Sequence, residues 1–469
     1  MKMRAGLIVT GSNVLASLLG FARNIILARL IGVEDFGIAA TFLITASVLE
    51  MLTNLSADRM IVQDREGDTE RLLDAMHGLA LVRSVFNAAA LFLLAWPLSA
   101  FFGNSDLLWA YQMVALVPLI RALRHNGSVA MQRQMRFGST AVLSISAPLI
   151  ALIAVWPMAM WLGDYRVMLV QILLMAATTT VVSHLVARRR YRVGWDLSVV
   201  RRAFSFGWPL LINGGLTFAV MQGDRMVIAN QIGPYELGLF SAALTLAMTP
   251  TLIAARSLRV FFMPLLSRLQ DDREGFAGAM VATMQVVLCA GAGVAVGAAI
   301  LGPWLFPLVY GDAFAPGTEA FLWLSLMFAM RLVREGPTTV AMSMAHTRNP
   351  MYANMVRMIS LPLAFWAAAS GYSMITVVAI STAGELCSLA LSIALLRMRM
   401  GEARLDRLAL PYGLALTLAV ICAWLAADAG APGFDWRQAA AVALLVGLIA
   451  ASGDMRRRIG AELRRRPKA

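Results

Sequence analysis

Long apolar segments recur along this chain and constrain its fold more than any other feature of the sequence. Because one membrane crossing takes about 20 apolar residues, about 14 segments qualify as transmembrane helices. They lie near residues 5–31, 36–57, 76–97, 107–131, 140–162, 167–187, 206–232, 237–259, 277–309, 318–343, 350–371, 373–396, 409–427 and 438–452. Only 14% of the residues are charged, against about 25% in soluble domains. The sequence therefore predicts an all-α, polytopic membrane protein with about 14 transmembrane helices.

Basic residues alternate between the connections of these segments, and the alternation predicts their orientation. Connections after odd-numbered helices carry almost no Lys or Arg, with Arg166 and Arg437 as the exceptions. Connections after even-numbered helices are rich in arginine, as between residues 188 and 192. Since basic loops stay on the cytoplasmic side, we expect a multi-pass protein of the cell inner membrane with both termini in the cytoplasm. The net charge of +13 follows this loop pattern and does not indicate nucleic-acid binding.

The two halves of the chain repeat each other. An Arg-x-x-Arg pair followed by Val-Ala-Met occurs at Arg121 and Arg124 and again at Arg331 and Arg334. Matches at an offset of 201 positions are Gly32 with Gly233, Gly37 with Gly238, Leu43 with Leu244 and Ala46 with Ala247. An even number of helices separates the copies, so helices 1–6 and 7–12 are predicted to be parallel repeats. We expect an N-terminal six-helix lobe with its linker (1–200), a second six-helix lobe (201–400), and helices 13 and 14 with a basic cytoplasmic tail (401–469).

Charged side chains inside the predicted helices are functional candidates by default, because the bilayer penalises them. The candidates for substrate binding in a polar cavity are Arg23, Asn24, Glu50, Arg121, Arg124, Asp224, Arg225, Arg331 and Arg334. A centrally placed Arg costs about 2.5–3.5 kcal/mol on insertion scales. Its guanidinium can donate two parallel hydrogen bonds to the oxygens of a phosphate. Arg23, Arg121 and Arg124 have no carboxylate nearby in sequence, which favours cavity lining.

Carboxylates inside the helices are candidates for ion coupling. They are Glu50, Asp224, Glu335 and Glu385. Arg331 and Glu335 are four residues apart, so we expect them to face each other on one helix, as a structural ion pair or as part of the cavity. Structural pairing and snorkelling to the membrane surface are the alternatives for all these charges, and snorkelling is expected for Arg83 and Arg256.

Residues for enzyme chemistry are sparse in this sequence. The three cysteines lie in apolar segments, and the four histidines are scattered along the chain, so neither a disulfide framework nor a metal site is predicted. No phosphate-binding loop of the Walker A type and no nucleophile elbow is present. We therefore assign no catalytic residue, no metal and no cofactor, and we predict that the protein is not an enzyme.

Several motifs resemble those of a known transporter family. They are residues 18–24 and 28–37 at the opening of the chain, Asp58 to Asp64 at the end of the second helix, Met131 to Phe137 in the loop after the fourth, and Gly223 to Ile228 with Gly233 and 237–241 in the seventh and eighth. In this order they resemble oligosaccharide flippases, the polysaccharide transport family of the multidrug/oligosaccharidyl-lipid/polysaccharide exporter superfamily. The resemblance covers most of residues 1–400.

The resemblance implies two six-helix lobes in a V that alternate between inward-open and outward-open states. Such proteins move undecaprenyl-diphosphate-linked sugar repeats to the outer leaflet, and helices 1, 2, 7 and 8 line the cavity. Arg23, Glu50, Asp224 and Arg225 are therefore the first candidates for the cavity. In the related lipid II flippase the arginine matching Arg23 precedes an aspartate, where this chain has Asn24, and helix 2 carries arginine near the position of Glu50. Both departures argue against lipid II as the substrate.

The sequence thus predicts a flippase for lipid-linked oligosaccharides in the assembly of O-antigen, capsule or exopolysaccharide. The expected partners are this substrate, membrane lipid and the polysaccharide polymerase and export machinery, and a monomer is expected. One alternative is a multidrug cation antiporter of the same superfamily, which the excess of arginine disfavours. A second is a membrane-embedded glycosyltransferase or polymerase, or a structural partner of a synthase complex; short outer loops disfavour a catalytic role.

Overall fold

Helices account for every predicted transmembrane segment. The structure is a computed structural model, and it describes residues 2–53, 57–344, 346, 348–400, 406–428 and 436–457. Within these ranges the regular elements are helices, without a β-strand. The chain divides into two compact units, Met1–Ser241 and Ala242–Ala469. The predicted domain boundaries near residues 200 and 400 stay predictions, and the predicted basic tail lies outside the described residues.

The first unit contains ten helices and the start of an eleventh. They are α1 (Lys2–Ile31), α2 (Val33–Leu52), α3 (Ala57–Gln63), α4 (Glu70–Phe101), α5 (Leu108–Val114), α6 (Leu116–Ala122), α7 (Gly127–Arg133), α8 (Gly138–Leu162), α9 (Arg166–Leu185), α10 (Leu197–Gln231) and α11 (Pro234–Arg268). Helix α8 packs between α1 and α9, and α2 packs against α10. Helix α10 begins at Leu197, before the predicted residue 206, because the Asp196 carboxylate caps it by accepting from two backbone N–H groups.

The fourth predicted helix, near 107–131, is wrong as a single element. It is broken into α5, α6 and α7, with a bend of 52° before α7. Pro118 has no N–H for the carbonyl of Val114, the residue at which α5 ends. At the second break, side chains satisfy the backbone instead of helix carbonyls: Ser183 Oγ accepts from His125 N–H at 2.8 Å, and His77 Nε2 accepts from Asn126 N–H at 3.1 Å. These tertiary contacts stabilise a break inside an apolar segment.

Helix α13 is the most buried long element of the second unit. The helices of this unit are the rest of α11, α12 (Arg273–Tyr310), α13 (Thr318–Ser343), α14 (Arg348–Ala369), α15 (Met374–Met400), α16 (Asp406–Ala427) and α17 (Trp436–Ala451). Helices α12, α15 and α16 surround α13, and α14 packs along α15. Side chains of α13 are therefore buried among protein, including its two arginines.

Length and hydropathy agree with a multi-pass membrane protein. Nine helices of the described residues are long and apolar enough to cross a membrane, or ten if the bent pair is one span. Helix α17 is apolar but shorter, at 16 residues, and α10 and α14 are diluted by charged and amide side chains. The all-α, polytopic fold class is confirmed.

Residues that match at an offset of 201 positions contact each other in the first unit. A Cβ on Gly37 would overlap the carbonyl oxygen of Pro234, and a Cβ on Gly238 would overlap the carbonyl oxygen of Val33. The two contacts are reciprocal, because Val33 matches Pro234 as Gly37 matches Gly238. Only glycine allows backbones to approach this closely, so α2 and α11 meet at their equivalent first turns.

Candidate functional site

Arg23 is a buried guanidinium in α1 with no carboxylate partner in the described part of the chain. Only 7% of the residue is exposed. Its Nη2 donates to Asn24 Oδ1 at 2.8 Å, and its Nη1 contacts the sulfur of Met175 on α9. Its Nε is buried without a hydrogen-bond partner. An amide and a thioether do not neutralise the positive charge, so this position favours a negatively charged ligand.

Arg121 and Arg124 have one carboxylate each, from residues distant in sequence, and their role in lining a cavity stays a prediction. Arg121 pairs with Glu50 at the end of α2, and Arg124 Nη2 contacts both oxygens of Asp58 on α3, at 2.6 and 2.7 Å. All four side chains are 30–53% exposed. The sequence did not reveal these pairs because the partners lie 71 and 66 positions away.

Asp224 and Arg225 lie in the last third of α10. Asp224 is buried, with 8% of its surface exposed. Arg225 Nη1 donates to Gln222 Oε1 at 3.2 Å, and Gln222 Nε2 donates to Ser47 Oγ of α2 at 3.4 Å. Arg225, like Arg23, has a neutral acceptor and a buried Nε without a hydrogen bond. Two of the predicted cavity arginines in this unit are thus held by neutral groups.

The second Arg-x-x-Arg pair lies in a buried cluster of four charged side chains, which we call the α13–α15 cluster: Arg331, Arg334, Arg357 and Glu385. Glu385 is fully buried on α15. Its carboxylate contacts Arg331 Nη2 at 3.1 Å, Arg334 Nε at 2.7 Å and Arg357 Nε at 3.6 Å. The predicted pairing of Arg331 with Glu335 is wrong, because Glu335 accepts hydrogen bonds from Arg259 of α11.

Three of the four histidines converge, although the sequence scatters them. The rings of His77, His125 and His184 surround Tyr191, with centroids 4.3, 5.9 and 5.2 Å from it. His77 Nδ1 lies 2.9 Å from the carbonyl oxygen of Arg192, and its Nε2 accepts from the broken fourth helix. His77 therefore connects the segment before α10, at Arg192, to the break before α7, at Asn126. No spacing in the sequence signals it, since the histidines belong to three different segments.

Comparison with known proteins identifies the family. The family model described as "Polysaccharide biosynthesis protein" matches residues 26–318, more than half of the chain. The chain belongs to this family of polysaccharide biosynthesis proteins. The resemblance to oligosaccharide flippases is thereby confirmed at the level of the family, and the matched region contains Arg121, Arg124 and Asp224.

Three bacterial relatives of this polysaccharide biosynthesis protein are similar over much of its length. An uncharacterised membrane protein in the cps region of Klebsiella pneumoniae is 21% identical over 74% of this chain and 72% of its own. The succinoglycan biosynthesis transport protein ExoT of Rhizobium meliloti (strain 1021) is 27% identical over 56% of this chain. The lipopolysaccharide biosynthesis protein WzxC of Escherichia coli (strain K12) is 21% identical over 63%. The alignments span 53% of ExoT and 60% of WzxC.

Solved structures show the same fold at low sequence identity. The lipid II flippase MurJ in an inward closed conformation matches with a TM-score of 0.66 and 12% identity, over 97% of this chain and 99% of its own. An inward-facing multidrug resistance transporter of the MATE family, in the MOP superfamily, matches with a TM-score of 0.64 and 14% identity, over 83% and 95%. Both likenesses concern the fold, and neither identifies a substrate of this family member.

Proposed function

We propose that this protein is a flippase that carries undecaprenyl-diphosphate-linked oligosaccharide repeat units across the cytoplasmic membrane by alternating access. The family supports a role in polysaccharide assembly, as do relatives named for succinoglycan transport and lipopolysaccharide biosynthesis. O-antigen, capsule or exopolysaccharide is the product that such transport serves. The alignments cover about half to three fifths of ExoT and WzxC, so the chemistry of this chain's own residues has to support the substrate.

The observation that carries the proposal is the buried, unneutralised guanidinium of Arg23. A lone charge in a water-poor site is unfavourable, and an anion that accepts from the guanidinium removes that penalty. Diphosphate is such an anion, because its oxygens match the fork of N–H donors. A multidrug cation would instead be repelled by Arg23, so we do not extend the MATE-like fold to a cation-exporting function.

Asn24 sharpens this argument. Its Oδ1 accepts from Arg23 at 2.8 Å, so it positions the guanidinium without neutralising it. An aspartate at the same position would hold Arg23 equally well and would cancel its charge. The asparagine therefore supports an anionic ligand at Arg23, and it supports a substrate other than lipid II.

The four candidate carboxylates for ion coupling differ in their surroundings. Glu50, Glu335 and Glu385 each contact at least one arginine, so they act as counter-ions in this conformation. Asp224 is buried in α10, and all four stay candidates for coupling to a proton or sodium ion.

Location and partners complete the proposal. The distribution of basic loops supports the inner membrane with both termini in the cytoplasm. The lipid-linked oligosaccharide is the substrate, and a polysaccharide polymerase with its export machinery would receive the product. We assign transport without a catalytic step, in keeping with the transport proteins among the relatives and fold neighbours.

Transport by purified protein in proteoliposomes tests the proposal. The substrate is a fluorescent undecaprenyl-diphosphate glycan, and its arrival in the opposite leaflet is measured with an impermeant quencher. Arg23→Gln removes the charge, and Asn24→Asp neutralises it with almost no change of shape. A hydrogen bond to a charged group contributes about 1.5–3 kcal/mol, so each variant should lower the apparent affinity about 10- to 150-fold.

Arg166→Gln is the matched control. Arg166 pairs with Asp164 on the surface at 2.7 Å and is 46% exposed, so its loss removes one arginine without touching a buried site. This control should transport like the wild type. If Arg23→Gln and Asn24→Asp also transport at the wild-type rate and affinity, Arg23 does not bind the diphosphate. If the wild type moves no lipid-linked glycan, the flippase proposal itself fails.

A further inference from the structure

The α13–α15 cluster contains more positive than negative charge. Three guanidinium groups surround the single carboxylate of Glu385, so the formal charge of these four side chains is +2. Most of the cluster is buried: Arg357 and Glu385 are fully buried, and Arg331 and Arg334 are each 9% exposed. Buried charges of one sign repel each other strongly in a medium of low dielectric constant. Such a cluster favours a further anion.

The equivalent pair in the first unit, Arg121 and Arg124, shows that an Arg-x-x-Arg motif can occur without an excess of positive charge. There each arginine has its own carboxylate, Glu50 or Asp58, and all four groups are partly exposed. The second pair is more deeply buried, yet Arg331 and Arg334 share one carboxylate with a third arginine. The deeper site therefore has less compensation, the reverse of what a purely structural ion-pair network needs.

Hydrogen-bond donors of Arg331 and Arg334 indicate where an anion would bind. Arg331 donates from Nε and Nη2 to Glu385, and Arg334 donates from Nε to Glu385 and from Nη1 to Asn354 Oδ1 at 3.1 Å. Arg331 Nη1 and Arg334 Nη2 have no acceptor among the described residues, and neither is a fully buried atom. The two arginines are three positions apart, so they lie on one face of α13. Each arginine therefore keeps one N–H₂ group that no acceptor of the described residues occupies.

We propose that Arg331 and Arg334 form a binding site for one phosphate-type oxyanion in the second unit. Paired guanidinium groups donate to the oxygens of a phosphate with the geometry that a single Lys cannot provide. Glu385 holds both side chains from one side, and the Arg331 guanidinium also lies 5.1 Å over the ring of Phe328. The phosphate is either a free inorganic anion or the headgroup of a lipid. The site is separate from Arg23, and it does not depend on the proposed transport function.

Titration of the purified, full-length protein tests this site. Arg23 is itself expected to bind diphosphate, so inorganic pyrophosphate is titrated into the wild type and into Arg23→Gln by calorimetry, at constant ionic strength. We expect a binding event that persists in Arg23→Gln. In that background, Arg331→Lys and Arg334→Lys keep the positive charge but lose the planar set of guanidinium N–H donors. Each variant should weaken pyrophosphate binding about tenfold or more.

Arg259→Gln serves as the matched control in the same unit. Arg259 forms a one-to-one pair with Glu335 on α13 and is 44% exposed, so its removal should leave the affinity for pyrophosphate unchanged. A second arm replaces pyrophosphate with phosphatidylglycerol in mixed micelles, compared with phosphatidylcholine. Binding in this arm alone identifies a lipid headgroup as the source of the phosphate.

Each outcome decides the proposal. Absence of both pyrophosphate and phosphatidylglycerol binding in Arg23→Gln overturns it. Binding that is equally strong in both lysine variants also overturns it, because the anion then binds elsewhere. If the lysine variants do not fold, Asn354→Asp in the Arg23→Gln background tests the same site: a carboxylate in place of the amide that accepts from Arg334 Nη1 at 3.1 Å would neutralise Arg334, so an unchanged affinity for the phosphate-bearing ligand contradicts the site. Failure of glycan transport leaves this result untouched.

Discussion

Replacing Glu385 with glutamine is the sharpest test of how the second unit holds its charges. The change keeps the size of the side chain and removes its charge, so three buried arginines lose their shared counter-ion. An amide has one acceptor oxygen and an N–H₂ group. If the oxygen keeps the 2.7 Å contact with Arg334, the N–H₂ group faces Arg331, whose two hydrogen bonds at 3.1 and 3.3 Å are then lost.

The magnitude follows from the burial of the pair. Removing one partner of a buried ion pair costs about 3–5 kcal/mol, because it leaves an uncompensated charge. For a domain of about 150–250 residues, each kcal/mol lowers the midpoint of thermal unfolding by about 2–4 °C. The second unit is of this size, so Glu385→Gln should lower the midpoint by about 6–20 °C.

Glu335→Gln is the control, because it removes the same charge from a pair that is partly exposed. Its partner Arg259 is 44% exposed, and exposed pairs contribute about 0–1 kcal/mol. Both variants are purified in the same detergent, and unfolding is followed by circular dichroism. Equal midpoints for the two variants would refute the reasoning, since they would show that Glu385 does not compensate the buried arginines.

Three further predictions concern other parts of the chain. Gly238→Val should lower the midpoint of unfolding, because its side chain would overlap the carbonyl oxygen of Val33 and overpacking costs about 1–3 kcal/mol; an unchanged midpoint would contradict the close contact. Asp196→Ala should speed amide hydrogen exchange at the start of α10. A hydrogen bond from an arginine of α4 holds the pKa of Asp196 below its usual range, so in the wild type the cap should persist as the pH falls through the usual carboxyl range and be lost only below it. A cysteine at Asn104 should react with an impermeant maleimide in intact cells and one at Arg190 only after permeabilisation; the reverse pattern would refute the orientation.

The positions of the helices could be predicted from the sequence because the length of an apolar segment alone indicates a membrane crossing. The break in the fourth helix could not be predicted. Its backbone N–H groups are satisfied by Ser183 and His77, which belong to other helices. Only Pro118 marked part of the break in advance, and proline is tolerated in many continuous membrane helices. A periodicity argument counts apolar residues and cannot see a tertiary hydrogen bond.

The chemistry of the candidate sites was accessible only in part, for a related reason. The sequence placed Arg23 and Asn24 side by side, and the structure keeps them in contact. It assigned Arg331 to Glu335 from their spacing on one helix, but packing of α13 against α15 brings Glu385 closer. Helical spacing predicts which side chains share a face. The partner of a buried charge is chosen by the neighbouring helix, which one sequence does not reveal.

The two Arg-x-x-Arg pairs show what an internal repeat can and cannot predict. Repetition predicts each pair at the same place in its half, yet one pair lies at the break after α6, neutralised and partly exposed, while the other is buried inside α13 beside a third arginine. The difference comes from partners outside the motif: Glu50 and Asp58 in one half, and Arg357 and Glu385 in the other. Because these partners decide the local charge, the same motif is neutralised in the first unit and belongs to a cluster of net positive charge in the second. A role assigned to one Arg-x-x-Arg pair therefore cannot be assigned to the other pair unless the charged residues around both pairs are the same.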